Sequence, residues 1–337
     1  MKNNKIEQLT GIGAIALCAL LWSTSGLLIK LIPWHPMIIA GGRSAIAFFL
    51  ILISGGIGLS KKETIKNNES TAPSSLTSPS SHTAPSSVGN PSPGKQRSFL
   101  SSRFFLFLKG PLFLAGLWYA LTMILFVIAN KLTASANVIV LQYTAPIWAA
   151  LFGWKIAGEK PRWEHGLAMV LVMIGLVFFF SEGLAGGSPL GDLLALVSGV
   201  CFALYSVYMR LQKEGNPEGS LLLSHGITAL AGLFFLFWNP PILSWSSLGA
   251  LFALGIFQIG LASLLFAYGI RRVSALQAML IAMIEPVMNP VWVFLVTGEL
   301  PGPGAFAGGP IILVAVVGSA ILGMYHQKRE EPDPPFD

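Results

Sequence analysis

Glu285 lies near the middle of a long apolar stretch, immediately before Pro286. An ionisable group at membrane depth costs roughly 2.5–3.5 kcal/mol on insertion scales, so it faces a bundle interior and marks a functional site by default. Pro286 has no backbone N–H; it frees a carbonyl one turn earlier and bends the helix. Two chemistries fit such a carboxyl. It can exchange a proton or hold a substrate amine, or it can stay neutral and hydrogen-bond a neighbouring helix.

Gln277, Ile281, Glu285, Asn289 and Trp292 follow steps of four and three, so they share one helix face. A second face reads Asn137, Leu141, Ala145, Ala149 and Phe152, with Gln142, Tyr143 and Thr144 beside it. Trp22, Ser23, Thr24, Trp118, Tyr119, Tyr205, Gln258 and Tyr268 add aromatic and neutral hydrogen-bonding groups from other apolar stretches. This lining suits an organic, amphipathic solute better than a bare ion. The competing role for each residue is ordinary: Ser, Thr, Asn and Gln join helices, and Trp or Tyr anchor at interfaces. The candidate substrate-binding set is therefore Trp22, Ser23, Thr24, Trp118, Tyr119, Asn137, Gln142, Tyr143, Tyr205, Gln258, Gln277, Glu285, Asn289 and Trp292, with Glu285 as the proton-coupling candidate. Arg43 either attracts an anionic group or serves structure by snorkelling or pairing with a carbonyl; the structural role is preferred. His225 reads as a helix-contact residue.

These side chains must be positioned by helices that cross a bilayer. The chain is 53% hydrophobic and 11% charged, with mean hydropathy +0.68, whereas soluble domains carry roughly 25% charged residues. Stretches long enough for a ~30 Å hydrocarbon core recur. They predict ten spans: 11–32, 36–58, 104–128, 133–153, 163–181, 189–210, 220–238, 247–270, 273–296 and 304–324. The apolar runs are continuous rather than alternating, which favours helices over a barrel. The expected class is an all-α integral membrane protein. Lys and Arg gather in alternate connections, the positive-inside pattern. This predicts cytoplasmic N- and C-termini and a plasma (inner) membrane location. The net charge of +6 thus reflects membrane topology, and no nucleic-acid partner is expected.

Residues 131–161 and 271–301 correspond without a gap, 140 positions apart. Pro146 matches Pro286, Gly158 matches Gly298, Glu159 matches Glu299 and Pro161 matches Pro301. About five spans per half would invert the second copy relative to the first, a signature of secondary transporters. Asn137 and Gln277 are repeat equivalents, but the partner of Glu285 is Ala145, so the acid belongs to one half only. Pro36, Pro161, Pro189 and Pro303 are expected in first helical turns. Glu159 and Glu299 are read as structural acids at helix starts, where the dipole favours negative charge.

Other chemistries are excluded. GNPSPGKQ (89–96) has a phosphate-loop outline but ends in Gln96, without the magnesium-binding hydroxyl. GIGAIA (11–16) opens a membrane helix. There is no His-Glu-x-x-His, Cys-x-x-Cys or Gly-x-Ser-x-Gly. Cys18 and Cys201 form neither a disulfide framework nor a metal spacing, and neither metal nor cofactor is expected. The first apolar run exceeds a signal-peptide h-region, and no small-residue cleavage site follows. The Ser/Pro-rich segment 60–102 and the tail 325–337 are expected to be disordered.

The chain resembles the drug/metabolite transporter superfamily, specifically EamA-type carriers. The resembling features are ALLWSTSGLLIK (19–30), HPMIIAGGRSAIAF (35–48), PIWAALFGWKIAGEKP, EPVMNPVWVFLVTGELP and GDLLALVSGVCFALYSVYMR (191–210). The resemblance implies ten helices as two inverted five-helix repeats, 11–181 and 189–324, around a central cavity. It implies transport of small organic metabolites, often outward, without ATP hydrolysis. It places the family's second-helix Arg at Arg43, its Glu-Pro at Glu285–Pro286, and its Gly-Glu pairs at Gly158–Glu159 and Gly298–Glu299. The long Ser/Pro linker departs from the family's compact form. The expected function is alternating-access transport of an amino acid, nucleoside or related solute, by export or exchange. Its partners are that solute, the lipid bilayer and, if Glu285 couples, protons; it would act as a monomer or homodimer. The competing readings are a membrane enzyme acting on a lipid or peptide, and a scaffold displaying the 60–102 linker.

Overall fold

A computed structural model of the chain describes residues 2–69, 110–133, 135–181, 188–298 and 302–330. Among them every regular element is helical. The first part contains α1 (Lys2–Trp22), α2 (Ser25–Lys30), α3 (Pro36–Glu69), α4 (Pro111–Leu132), α5 (Ser135–Gln142), α6 (Ala145–Ala157) and α7 (Trp163–Phe179). The second contains α8 (Pro189–Leu211), α9 (Pro217–Trp238) and α10 (Trp245–Ala253). It continues through a π-helical stretch (Leu254–Leu261), α11 (Ala262–Ile270), α12 (Ala275–Ala282), α13 (Ile284–Thr297) and α14 (Pro303–Glu330). Seven described segments are long and apolar enough to cross a membrane, and two shorter apolar helices cover Ile6–Trp22 and Trp163–Phe179.

Three expected spans are interrupted. Span 11–32 breaks between α1 and α2, where the Ser23 and Thr24 hydroxyls each donate to the carbonyl three residues back at 2.7 Å. Such back-bonding competes with the helix ladder. The stretch around 133–157 breaks at Tyr143–Thr144, and 275–297 breaks at Met283. Each break precedes a proline, Pro146 or Pro286, that cannot donate to the turn behind it. The two breaks are 140 positions apart, and so are Gly158 (φ 71°) and Gly298 (φ 75°), which end α6 and α13. Both glycines adopt the left-handed conformation that a Cβ disfavours.

Other boundaries also differ from expectation. Helix α3 runs on past its apolar stretch to Glu69, so residues 60–69, expected in the disordered linker, are helical, and α14 reaches Glu330 beyond the predicted 324. Helix α4 begins at Pro111; residues 104–109, the rest of the linker and 331–337 lie outside the described residues. Pro161 precedes α7 by two residues instead of opening it. Pro36, Pro189 and Pro303 do open helices, as do Pro111 and Pro217.

Helix α4 packs on α8 and α9; α3 packs on α9 and the π-helical stretch; α7 packs on α14. Helix α1 contacts α11, α12 and α13, while α5 and α6 contact α8. Two crossings are built on glycine. A Cβ on Gly41 of α3 would lie 2.5 Å from the Cα of Gly232 on α9. A Cβ on Gly175 of α7 would lie 3.1 Å from the carbonyl of Gly308 on α14. Small residues let helix backbones approach closely where lipid supplies no hydrophobic drive for association. Gly232→Leu is therefore expected to cost more than the ~1–3 kcal/mol of ordinary overpacking, because the obstacle is backbone. Size-exclusion profiles after a heating series should lose the monodisperse peak at a lower temperature. Gly249→Ala, whose Cβ would meet nothing within 4 Å, should melt like the parent.

Candidate functional site

The three helix interruptions and the π-helical stretch surround one interior cavity of about 180 Å³. Trp22, Ser25 and Ile29 enter it from the broken first span, and Arg43 from α3. Tyr119 and Thr122 contribute from α4, Gln142 and Tyr143 from the end of α5, and Phe202 from α8. Gln258 and Ile259 come from the wide π turn, and Glu285, Pro286 and Asn289 from the first turns of α13. A broken helix removes local carbonyls and N–H groups from the ladder and brings polar side chains inward. Irregular backbone at membrane depth is tolerated where it is buried or lines a cavity.

Opposite charges share this space. Arg43, only 9% exposed, donates from a terminal guanidinium nitrogen to Gln258 Oε1 at 3.2 Å. Its Nε has no hydrogen-bond partner among the described residues. Tyr143 and Glu285 line the same cavity as Arg43. Arg43 thus lines the cavity and pairs there with a side-chain carbonyl oxygen. The wall behind it is aromatic. Trp22 packs on Phe202 and Phe266 with ring centroids 5.8 and 5.6 Å apart. Tyr205 stacks on Tyr119 at 4.3 Å and on Phe266 at 5.2 Å. Such a chamber can hold an organic body against rings while polar ends meet Arg43, Gln142, Asn289 and Glu285.

Seven of the fourteen expected binding residues line the cavity: Trp22, Tyr119, Gln142, Tyr143, Gln258, Glu285 and Asn289. The others have different places. Tyr205 is fully buried behind Tyr119. Ser23 accepts from Trp292 Nε1 at 2.7 Å, which ties α13 to the first break. Thr24 bonds back to Leu21. Asn137 donates to Asp192 Oδ1 at 3.4 Å, and Thr133 donates to the same atom at 2.7 Å, joining the starts of two spans. Trp118 is half-buried on α4, outside the lining. Gln277 opens toward a different pocket. His225 is fully buried, with Nε2 3.3 Å from Ser263 Oγ, a helix contact. Sequence reasoning missed Ser25, Thr122, Phe202 and Pro286 as lining.

At one end of the bundle a polar latch spans several helices. Glu159 Oε1 accepts from Arg210 Nε at 2.7 Å, and Glu159 Oε2 accepts from the backbone N–H of Ala275 at 3.0 Å. Arg210 also donates to the carbonyls of Ile270 and Arg271, at 3.1 and 2.6 Å. Glu159 does sit at a helix start, but that helix is α12 in the other half of the chain, not the adjacent α7. Glu299 lies outside the described residues. Among the described residues no three His, Cys, Asp or Glu side chains are grouped to hold a metal.

The description "EamA-like transporter family" matches residues 91–181 and 189–321. An uncharacterized transporter of Bacillus subtilis, YcxC, is 23% identical over 208 residues, covering 56% of this chain and 65% of that protein. Uncharacterized transporters of Archaeoglobus fulgidus and Clostridium kluyveri are each 26% identical, covering 58% and 63% of this chain and 71% of each relative. A solved structure, described only as the crystal structure of a protein, aligns with TM-score 0.67 at 20% identity and covers 97% of this chain and 99% of its own. That likeness concerns the fold alone.

Proposed function

The chain belongs to the EamA-like transporter family, and on that premise we propose that it is a secondary carrier for a small organic metabolite. It is a multi-pass membrane protein. The solute is an amino acid, nucleoside or related compound, moved by export or exchange without ATP hydrolysis, and no enzymatic step is part of this reading. Ten spans form two inverted five-helix repeats, 11–181 and 189–324, which rock about a midplane site. The termini face the cytoplasm of a plasma membrane.

The observation that carries the reading is the cavity at the helix breaks, where Arg43 and Glu285 share an aromatic chamber. The repeat arrangement is supported by paired features: breaks at Tyr143–Thr144 and Met283, and left-handed glycine caps at Gly158 and Gly298. It is also supported by packing. Exchanging the first five proposed spans with the last five converts the α4–α8 contact into that of α1 with α11, and the α4–α9 contact into that of α3 with the π-helical stretch. In this reading Trp22, Tyr119, Gln142, Tyr143, Gln258, Glu285 and Asn289 bind solute, and Arg43 joins them. The Glu159–Arg210 latch closes the cytoplasmic end while the chamber faces outward.

The direct test is reconstitution of the purified protein in liposomes, with labelled amino acids, nucleosides and cofactors offered with and without a proton gradient. Saturable movement of one class supports a carrier; movement of none refutes it. Orientation has its own check. The two native cysteines are buried, so a cysteine at Lys160 should react only with reagent added to the cytoplasmic face. One at Lys131 should react only from outside. Labelling of both from one side shows that the fourth proposed span does not cross and overturns the ten-span arrangement.

A further inference from the structure

A second pocket, of about 250 Å³, opens beside the latch, at the end of the bundle opposite the chamber's mouth in the proposed cycle. Its lining includes Lys160, Arg162, Arg210 and Arg272, against one carboxylate, Glu159. Positive-inside bias alone would scatter cations over a wet surface. Here they converge on a concavity, and one further group faces it. Gln277, on the first turn of α12, is 6% exposed, and its Nε2 has no hydrogen-bond partner among the described residues. A buried amide donor without an acceptor calls for an explanation.

The missing atom is defined by the groups present. Ammonium, guanidinium and an amide N–H are all donors, so the ligand atoms must be acceptors. Glu159 does not fill this need, because its two oxygens are taken by Arg210 and Ala275. Arg272 lies over the Tyr268 ring at 3.6 Å and spends one nitrogen on the Tyr268 carbonyl. Lys160 is exposed and has no ion pair among the described residues. With Arg162 ion-paired to Glu164 at 4.0 Å and Arg210 to Glu159, the guanidinium fork of Arg272 and the point-charge ammonium of Lys160 remain around one space and suit an oxyanion.

We propose that this pocket binds a phosphate-type oxyanion, either free phosphate or the phosphate of a lipid headgroup. The compartment it samples rests on the orientation proposed above, but the binding does not. Because Arg210 belongs to both the latch and the pocket, an anion there competes with Glu159 for the guanidinium and favours release of that end.

The test uses the full chain in nanodiscs, where both faces are accessible and transport plays no part. In phosphatidylcholine discs, calorimetric titration with inorganic phosphate is expected to give saturable binding at one site per chain. Lys160→Gln combined with Arg272→Gln should weaken it at least tenfold, and Gln277→Leu should weaken it independently. In phosphatidylglycerol discs, native mass spectrometry of the released protein reports a retained headgroup. Phosphate binding that the variants weaken supports a free-anion source. Absence of phosphate binding, with phosphatidylglycerol retained by the parent and lost from the double variant, supports a lipid source. If the parent does neither, or if the variants match the parent in both assays, the proposal is overturned. Should Gln277→Leu fail to fold, the double variant decides alone. A liposome carrier assay that fails while this binding succeeds refutes the transport reading and leaves the site standing.

Discussion

Glu285→Gln is expected to abolish uptake driven by a proton gradient while solute exchange continues near the parental rate. Gln preserves the size of Glu and keeps a polar acceptor in the lining that position 285 shares with Tyr143. What it removes is the ability to lose and regain a proton. In exchange, solute binds on each passage and no net proton need move, so a site that keeps its shape keeps working. The effect on gradient-driven uptake should reach the assay's limit, not a few-fold change, because one half of the repeat has no second acid: position 145 is Ala. Tyr143→Phe separates coupling from binding. It removes a hydroxyl from the lining but leaves the carboxyl, so gradient-driven uptake should persist. Liposomes loaded with labelled solute, with and without an imposed gradient, read both quantities. Gradient-driven uptake that survives intact in Glu285→Gln overturns proton coupling through this residue.

Glu159→Gln is expected to shift the carrier toward the cytoplasm-open state by about 30-fold. The Glu159–Arg210 pair is partly shielded, with side-chain exposures of 25% and 18%. Breaking a fully buried pair costs about 3–5 kcal/mol, and an exposed one about 0.2–1 kcal/mol. Glu159 also caps the N–H of Ala275, and a cap contributes about 0.5–2 kcal/mol. An intermediate total of about 2 kcal/mol corresponds to roughly 30-fold in population. The readout is the rate at which a cysteine at Ala149, which lines the latch-side pocket and is fully buried, reacts with a water-soluble maleimide. The rate should rise in Glu159→Gln and return toward the parental value in Glu159→Asp. An unchanged rate shows that the latch does not hold this end closed.

The alternation of apolar stretches with short basic connections identified helices that cross a bilayer, because hydrocarbon admits no unsatisfied backbone and length alone then sets the span. The 140-residue repeat marked equivalent prolines and glycines, and the helix breaks and left-handed caps lie at those marks, because proline lacks an N–H and glycine lacks a Cβ wherever they stand. Glu285 also stood out, since an acid within an apolar stretch is costly to bury, and it lines the cavity.

Only the tertiary structure decided which polar residues share a space. A helical face says which side chains point together, not what they meet. Asn137 sits on the same kind of face as Gln277, yet it is held by Asp192 of another helix. Arg43 finds its carbonyl partner in Gln258, 215 positions away, inside the chamber. Glu159 looked like a cap for the helix that follows it, and it caps Ala275, 116 positions away. Local chemistry governs breaks, caps and spans because their causes lie within a turn or two of chain. Cavities, latches and ion pairs depend on distances between helices far apart in sequence, and those distances exist only once the bundle has packed.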